Sequence, residues 1–202
     1  MVALLSLANC FAESIISSIV LSCFSMISFA VSGNVPADII EMSSQVAVEL
    51  EQEGIVLLKN EDAILPLKPG QKVAVIGELA ASPRFQGAGS SVINPNKLDN
   101  ALDELKKLGV DVVYAKGYEK SKNEVNEALF AEAENAARNA DVALVFVGLT
   151  DEFEGEGYDR VNIEMPSSHN NLVSVVAQAN PNTAVVLAGG SVINLPWVNE
   201  VK

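Results

Sequence analysis

The acidic segment 151–160 is where residue types and spacing could do chemistry. It reads Asp-Glu-Phe-Glu-Gly-Glu-Gly-Tyr-Asp-Arg and holds five carboxylates, two glycines and one arginine. It directly follows the apolar run 142–149, which has the composition of a buried parallel strand. Open α/β sheets bind ligands at the carboxyl ends of their strands, so a site is expected here. The backbone freedom of Gly155 and Gly157 would let Glu156 project from the loop as a general acid or base.

Acidic loops are also common as plain solvated surface, and the composition of this segment alone does not separate the two interpretations. A set of motifs in a fixed order favours a site. The motifs are Glu-Gly-Ile-Val-Leu-Leu-Lys-Asn at 53–60, Leu-Pro-Leu at 65–67, Arg-Phe-Gln-Gly-Ala-Gly-Ser-Ser at 84–91, Glu-Gly-Glu-Gly-Tyr-Asp-Arg at 154–160, Ala-Asn-Pro-Asn-Thr at 179–183 and Leu-Pro-Trp at 195–197. Taken together, they resemble the C-terminal α/β domain of glycoside hydrolase family 3, of the β-glucosidase and β-xylosidase type.

The resemblance implies a role for each matching residue. Glu156 falls on the family's general acid/base, and Ser90 falls on the serine that reaches the bound sugar, with Ser91 next to it. Asp159 and Arg160 are expected to form a charge pair that braces the acidic loop. Support for the serine-bearing loop is expected from two further residues, Arg84 and Gln86.

The reaction implied by the resemblance is retaining, exo-acting hydrolysis of O-glycosidic bonds in a β-linked glucoside or related oligosaccharide, without a cofactor. Such enzymes use two carboxyl groups about 5 Å apart, one as nucleophile and one as acid and then base. In the family the nucleophile is an aspartate of a (β/α)8 barrel that faces this domain, and the match implies no catalytic role for Glu154. The residues outside the match are far fewer than the roughly 250 that a barrel needs. We therefore expect half of an active site, and no activity from the chain alone.

Two other functions stay open at this point. One is a non-catalytic carbohydrate-binding or partner module, tethered to a membrane if residues 14–32 are an anchor. The other is nucleotide binding, because the strand-like run that ends at Gly77 is followed by Gly87 and Gly89. Against it, a dinucleotide fingerprint needs closely spaced glycines in the first strand-to-helix turn, and Val92 stands where the third would fall. No GxxxxGK[ST] phosphate loop occurs in the sequence.

Composition excludes some classes of partner. The net charge is -13 and the pI is about 4.4, so the 13 Lys and Arg residues cannot form a basic face for nucleic acid. The two cysteines, Cys10 and Cys23, lie in the N-terminal apolar stretch, which leaves no disulfide framework or CxxC metal site in the folded part. The single histidine, His169, stands at a predicted helix start and is expected on the surface or as a cap. We therefore predict no metal site.

Three interpretations of residues 1–33 stay open: a signal or anchor, non-native sequence, or a buried helix. Residues 14–32 approach the length of a bilayer span, and Ser28-Phe29-Ala30 resembles a cleavage site. A secretory signal normally begins with positive charge, and no Lys or Arg precedes Lys59. A genuine signal or anchor predicts a secreted or membrane-associated protein, and its absence a cytoplasmic one.

Residues 34–71 are predicted to form a helix followed by a linker arm. The helix is expected over 38–53, with Gly54 as its stop. A short apolar strand or arm follows at 55–58, ahead of a turn around residues 60–62.

From residue 72 to 202 the apolar pattern alternates between strands and helices. Strands are predicted at Lys72–Gly77, Val110–Ala115, Asp141–Gly148 and Thr183–Ala188. Helices are predicted at Leu98–Leu108, Glu124–Asn139 and Ser168–Ala179, the second starting at a capping box of Ser121 and Glu124. This pattern predicts an α/β fold, a three-layer sandwich in which helices cover both faces of a mostly parallel sheet. We expect the sheet to be incomplete at the C-terminus, with 183–188 as an edge that invites self-association.

Overall fold

A computed structural model of the protein describes residues 54–90 and 98–202, together with Met42, Val46, Val92, Asn94 and Pro95. The apolar segment 1–33 lies outside the described residues. So does most of the helix predicted over 38–53, although Met42, Val46 and Gly54 are helical and residue 55 is not. Within the part that the structure describes, no helix is long and apolar enough to cross a membrane.

Four parallel strands alternate with helices along the described chain. The strands are β1 (Lys72–Ile76), β2 (Asp111–Ala115), β3 (Val142–Gly148) and β4 (Thr183–Ala188). The helices are α1 (Glu78–Ala81), α2 (Ala101–Lys107), α3 (Glu127–Arg138) and α4 (Ser167–Ala179), and a 3₁₀ turn at Glu61–Ala63 precedes β1. The strand order is β2-β1-β3-β4, and every neighbouring pair is parallel. The predicted α/β fold with a parallel sheet is confirmed.

Helices cover the sheet because its central strands are apolar on both sides. All seven residues of β3 are buried, as expected for a strand that packs against helices on both faces. The helices α3 and α4 pack against each other, and α1 and α2 do the same. The hydrophobic core lies between these layers and the sheet.

The element boundaries differ from the predicted ones for local reasons. The predicted capping box of Ser121 and Glu124 is wrong, because Asn126 caps α3: its Oδ1 accepts hydrogen bonds from the amides of Ala128 and Leu129 at 3.1 and 3.3 Å. Asn100 caps α2 in the same way, so that helix starts three residues after Leu98, where it was predicted to start. The short helix α1 directly after β1 was not predicted.

Strand β1 ends one residue before Gly77, which was predicted as its last residue. Gly77 has a φ of +115°, and a Cβ there would lie 2.1 Å from the carbonyl oxygen of Phe146. The chain turns at this glycine because only glycine allows both the backbone angle and the close approach to the neighbouring strand.

The arm before the sheet is not a strand, contrary to one of the two predicted alternatives. Ile55 and Leu57 are half-buried and pack on the core, whereas the residues between and after them are exposed. Lys59 then donates from Nζ to the carbonyl oxygens of Val198 and Val201 at 2.9 and 2.6 Å. The arm is therefore fastened to the C-terminal residues.

The sheet has one point where its connections diverge. The chain leaves β1 towards β2 on one side and leaves β3 towards β4 on the other. Parallel α/β sheets bind ligands in the crevice at such a switch point, outside the carboxyl ends of the strands. Here the switch point lies between β1 and β3, and the segments that follow these two strands flank it.

Candidate active-site loops

Two loops meet above the carboxyl ends of β1 and β3. We call residues 84–90 the serine loop and residues 149–160 the acidic loop. They pair through a parallel β-bridge between Ala88 and Gly155, and the amide of Glu156 donates to the carbonyl oxygen of Ala88 at 2.9 Å. Backbone pairing thus joins two segments that are far apart in the sequence.

The carboxylate of Glu156 returns across this bridge to the serine loop. Its Oε2 accepts a hydrogen bond from the amide of Ser90 at 2.8 Å, and the side chain is exposed. Gly89 permits the approach: its φ is +110°, and a Cβ there would lie 2.6 Å from the Cβ of Glu156. Only glycine satisfies both the backbone angle and the space.

The residues of the serine loop that were expected to contact the sugar or support the loop are placed as follows. Ser90 is exposed beside Glu156, and it makes the contact through its amide. Gln86, expected as loop support, is half-buried in the same loop. Ser91 lies outside the described residues. The structure therefore brings Ser90 and Glu156 together, and their roles stay predictions.

Arg84 crosses between the two loops beneath their bridge. Its Nη1 donates to Glu154 Oε2 at 2.5 Å and to the carbonyl oxygen of Leu149 at 3.3 Å, and its Nη2 donates to the carbonyl oxygen of Glu154 at 3.2 Å. The guanidinium is largely buried, with 11% of the side chain exposed. Arg84 therefore bonds the serine loop to the acidic loop, and its predicted role as loop support stays a prediction.

Glu154 also binds the loop after β4. Its Oε2 accepts from the amide of Gly190 at 3.0 Å, and its Oε1 accepts from the hydroxyl of Ser191 at 2.6 Å. Partial burial by itself raises the pKa of this carboxyl. The hydrogen bonds from Ser191, Arg84 and Gly190 outweigh that effect and lower the pKa to about 2. Glu154 is therefore ionised, and its carboxylate accepts hydrogen bonds from Arg84, Gly190 and Ser191. It is not available as a proton donor.

Arg160 braces the acidic loop, but not through Asp159. Its Nη1 donates to the hydroxyl of Ser191 and the carbonyl oxygen of Val192, both at 2.8 Å, and its Nη2 donates to the carbonyl oxygen of Glu164 at 2.9 Å. Among the ion pairs of the described chain there is none between Asp159 and Arg160, and Asp159 is exposed. The expected charge pair is replaced by hydrogen bonds from the guanidinium to the loop after β4.

His169 lies beneath the acidic loop and not on the surface, so its predicted placement was wrong. It is buried in the first turn of α4, with Nδ1 2.9 Å from the carbonyl oxygen of Gly148. Its ring contacts that of Tyr118 at 3.8 Å between centroids, with the two planes tilted by 41°. Burial lowers its pKa to about 4, although the hydrogen bond to Gly148 acts in the opposite direction. The low pKa makes the imidazole neutral near pH 7, and the ring lies beneath the acidic loop.

Gly190 and Ser191 belong to the site although the motifs did not point to them. They follow β4 directly, and the carboxyl end of β4 lies at the same edge of the sheet as the ends of β1 and β3. The sequence feature that could have identified them is the Gly-Gly-Ser segment at 189–191, which follows a third parallel strand. The described residues contain no cluster of His, Cys, Asp and Glu that could hold a metal ion.

Comparisons with known proteins agree with this architecture. The family model for the glycosyl hydrolase family 3 C-terminal domain matches residues 55–202. The thermostable beta-glucosidase B of Acetivibrio thermocellus is 44% identical over 161 residues, which are 78% of this chain and 21% of that protein. The exo-alpha-(1->6)-L-arabinopyranosidase of Bifidobacterium longum is 43% identical over 173 residues, which are 81% of this chain and 23% of that protein.

The fold comparison agrees as well. The crystal structure of a family 3 beta-glucosidase from Bifidobacterium adolescentis superposes with a TM-score of 0.76 at 39% identity, over 88% of this chain and 26% of that chain. The chain spans about a fifth to a quarter of the length of the curated relatives. Both the sequence match and the fold place it in one domain of that family: the chain belongs to glycoside hydrolase family 3 and carries its C-terminal α/β domain.

Proposed function

We propose that this chain supplies the general acid/base of a retaining, exo-acting β-glycosidase, and that the acid/base is Glu156. The observation that carries the proposal is the placement of its carboxylate. It is exposed above the switch point of the sheet and is held in one direction by the amide of Ser90 at 2.8 Å. A positioned but solvent-reachable carboxyl is what proton transfer to a bound substrate requires.

The hydrogen bond from Ser90 also favours one oxygen of Glu156 for the proton. A backbone amide only donates and bonds best to an unprotonated oxygen, so Oε2 serves as the acceptor and we assign the proton of the acid form to Oε1. In the first step Oε1–H protonates the leaving oxygen while the glycosidic bond breaks and a nucleophilic carboxylate forms a glycosyl ester. In the second step the Glu156 carboxylate takes a proton from water, and the water oxygen displaces the ester.

The nucleophile would come from a longer protein, as the resemblance implies. The relatives are enzymes four to five times longer than the stretch they share with this chain, and their names are those of a beta-glucosidase and an arabinopyranosidase. The proposed substrate is therefore a β-linked glucoside or a related oligosaccharide. Ser90 and Ser91 would contact the sugar, facing a (β/α)8 barrel.

A chimera tests the proposal. The matching segment of the thermostable relative, which is 44% identical, is replaced by the corresponding residues of this chain, with and without Glu156→Ala. The substitution should lower kcat/KM about 10² to 10⁴-fold for substrates with poor leaving groups and much less for activated aryl glucosides, for which the loss should appear in the hydrolysis of the glycosyl ester. Azide should restore turnover of the activated substrates, because it attacks the glycosyl ester without needing a base. Equal losses for both classes of substrate would remove Glu156 from the acid role.

A non-catalytic carbohydrate-binding or partner module is the second candidate. It is favoured by one observation: the bridge and the bond from Ser90 to Glu156 form entirely within this chain. Titration of the full chain with glucose, followed by amide chemical shifts, separates the two. Millimolar or tighter binding together with an inactive chimera would favour the module.

A further inference from the structure

We propose that Glu154 is a positioning residue for Glu156, and that it acts by fastening three loops into one unit. The proposal rests on the proposed role of Glu156 as the acid/base. The motif match implied no catalytic role for Glu154. Its contacts indicate that it holds the neighbouring loops in position.

The carboxylate of Glu154 lies where the loops after three strands converge. From the serine loop it receives Arg84 Nη1 at 2.5 Å on Oε2. From the loop after β4 it receives the amide of Gly190 at 3.0 Å on Oε2 and the hydroxyl of Ser191 at 2.6 Å on Oε1. Glu154 itself belongs to the acidic loop after β3. One side chain therefore bonds to both neighbouring loops at once.

These bonds continue without a gap to Glu156. Arg84 also donates from Nη2 to the carbonyl oxygen of Glu154 at 3.2 Å. Four residues after Arg84, Ala88 pairs with Gly155, the residue that follows Glu154. The amide of Glu156 then bonds to Ala88, and its carboxylate bonds to Ser90, within the same two strand-like segments. If the Arg84 to Glu154 contact is lost, the serine loop is held against the acidic loop by the bridge, by the bond from Ser90 to Glu156 and by the longer contacts of Arg84 with Leu149 and Asp151.

The negative charge of the carboxylate is what a glutamine would remove from this position. An amide oxygen could still accept from Arg84 and Gly190, and the amide NH₂ group could donate to the hydroxyl of Ser191, but the amide gives Arg84 no opposite charge. Arg84 is largely buried, so it would be left with a weakened partner and a charge to solvate. Substitution by glutamine should therefore open the contact although the shape is nearly the same.

Glu154→Gln in the full chain tests the coupling without any enzymatic assay. In the wild-type protein, the amide proton of Ser90 should follow the titration of Glu156, because the two are hydrogen-bonded. In the variant this pH-dependent shift should be lost. The matched control is Glu152→Gln, which removes the same charge from an exposed position of the same loop. Ser191→Ala removes one donor to Glu154 and also the hydroxyl that accepts from Arg160. It should weaken the shift and serves as the second variant if Glu154→Gln does not fold.

A kinetic readout separates positioning from simple destabilisation. In the chimera, Glu154→Gln should lower kcat/KM about 10²-fold for poor leaving groups and leave kcat/KM for activated aryl glucosides nearly unaffected, which is the size expected for a misplaced catalytic group. Equal losses for both substrates, or a Ser90 shift that persists in Glu154→Gln, would overturn the inference. If Glu156→Ala leaves turnover intact, the proposed acid/base fails, whereas the loop coupling is still judged by the Ser90 shift.

Discussion

At the scale of single residues, the site depends on glycines that let two backbones approach. Gly89 faces the Cβ of Glu156, and Gly155 faces the ring of Tyr158, whose hydroxyl would lie 2.7 Å from an added Cβ. The hydroxyl of Tyr158 in turn donates to the carbonyl oxygen of Asp151. The acidic loop therefore folds back onto its first residues, and the side chain of Glu156 is exposed.

Gly89→Ala should separate Glu156 from Ser90. The new Cβ meets Glu156 at 2.6 Å, and a φ of +110° is strained for any residue with a Cβ, by about 1 to 3 kcal/mol. We expect urea unfolding to show a loss of this size and NMR to show that the Ser90 amide no longer follows Glu156. Gly157→Ala is the control, because it has a φ of +93° but open space around the added Cβ. An intact Ser90 contact in Gly89→Ala would contradict the steric account.

The depressed pKa of Glu154 predicts an acid-dependent loss of stability. Its folded pKa is about 2, whereas the ordinary value is 4.5, so the unfolded chain binds more protons between these values. The stability from this group is therefore fully present above about pH 4.5 and is lost as the pH falls towards 2, by about 2 to 3 kcal/mol in total. Urea unfolding at pH 6, 4 and 3 measures it. Glu154→Gln should lose stability at pH 6 and show a shallower decline below pH 4.5; an unchanged decline would count against the assignment.

At the scale of elements, the strands were predictable because burial on both faces leaves an unbroken apolar run. Strand β4 was predicted with its observed bounds, and the others within one residue at either end. Helix starts were less predictable, because Ser, Asn and Glu near a boundary all offer caps and only the fold selects one. The motifs named Ser90 and Glu156 as separate site residues, whereas the bond between them is visible only in the fold. The pair of Arg84 and Glu154 was not predicted, because it joins residues 70 apart and depends on the strand order.

The cap of α3 gives a test at this scale. Asn126→Ala removes the side-chain acceptor for the amides of Ala128 and Leu129 and should cost about 1 kcal/mol in the free energy of unfolding. Ser121→Ala should change it by a few tenths at most, since the predicted capping box does not form. Chemical denaturation of both variants checks the difference. A larger loss for Ser121→Ala would reverse the assignment of the cap.

At the scale of the whole molecule, residues near the C-terminus pack beside β4, at one edge of the described sheet. Strand β4 is an edge strand of the described sheet, and the amide of Lys202 bonds to the carbonyl oxygen of Thr183 at its start. Trp197 is buried, with its Nε1 donating to Asn170 at 2.8 Å. The self-association predicted for this edge stays a prediction, and the final residues partly shield the strand.

Lys59→Met should weaken the attachment of the C-terminal residues to the arm that precedes the sheet. It removes the two bonds from Nζ to the carbonyl oxygens of Val198 and Val201. We expect faster hydrogen exchange at the amide of Lys202, and sedimentation that becomes dependent on concentration as the β4 edge is uncovered. Lys122→Met, at an exposed ion pair with Glu119, removes the same charge elsewhere. Unchanged protection at Lys202 would show that Lys59 does not hold the C-terminal residues in place.

The bridge between the serine loop and the acidic loop has a consequence for how a complete enzyme of the proposed kind would be timed. Glu156 and Ser90 are bonded to each other within this chain, so in such an enzyme the proposed proton donor and the proposed sugar contact would reach the substrate together. A small tilt of the domain would displace both at once. Arrival at the glycosidic bond would then be a single event governed by one angle.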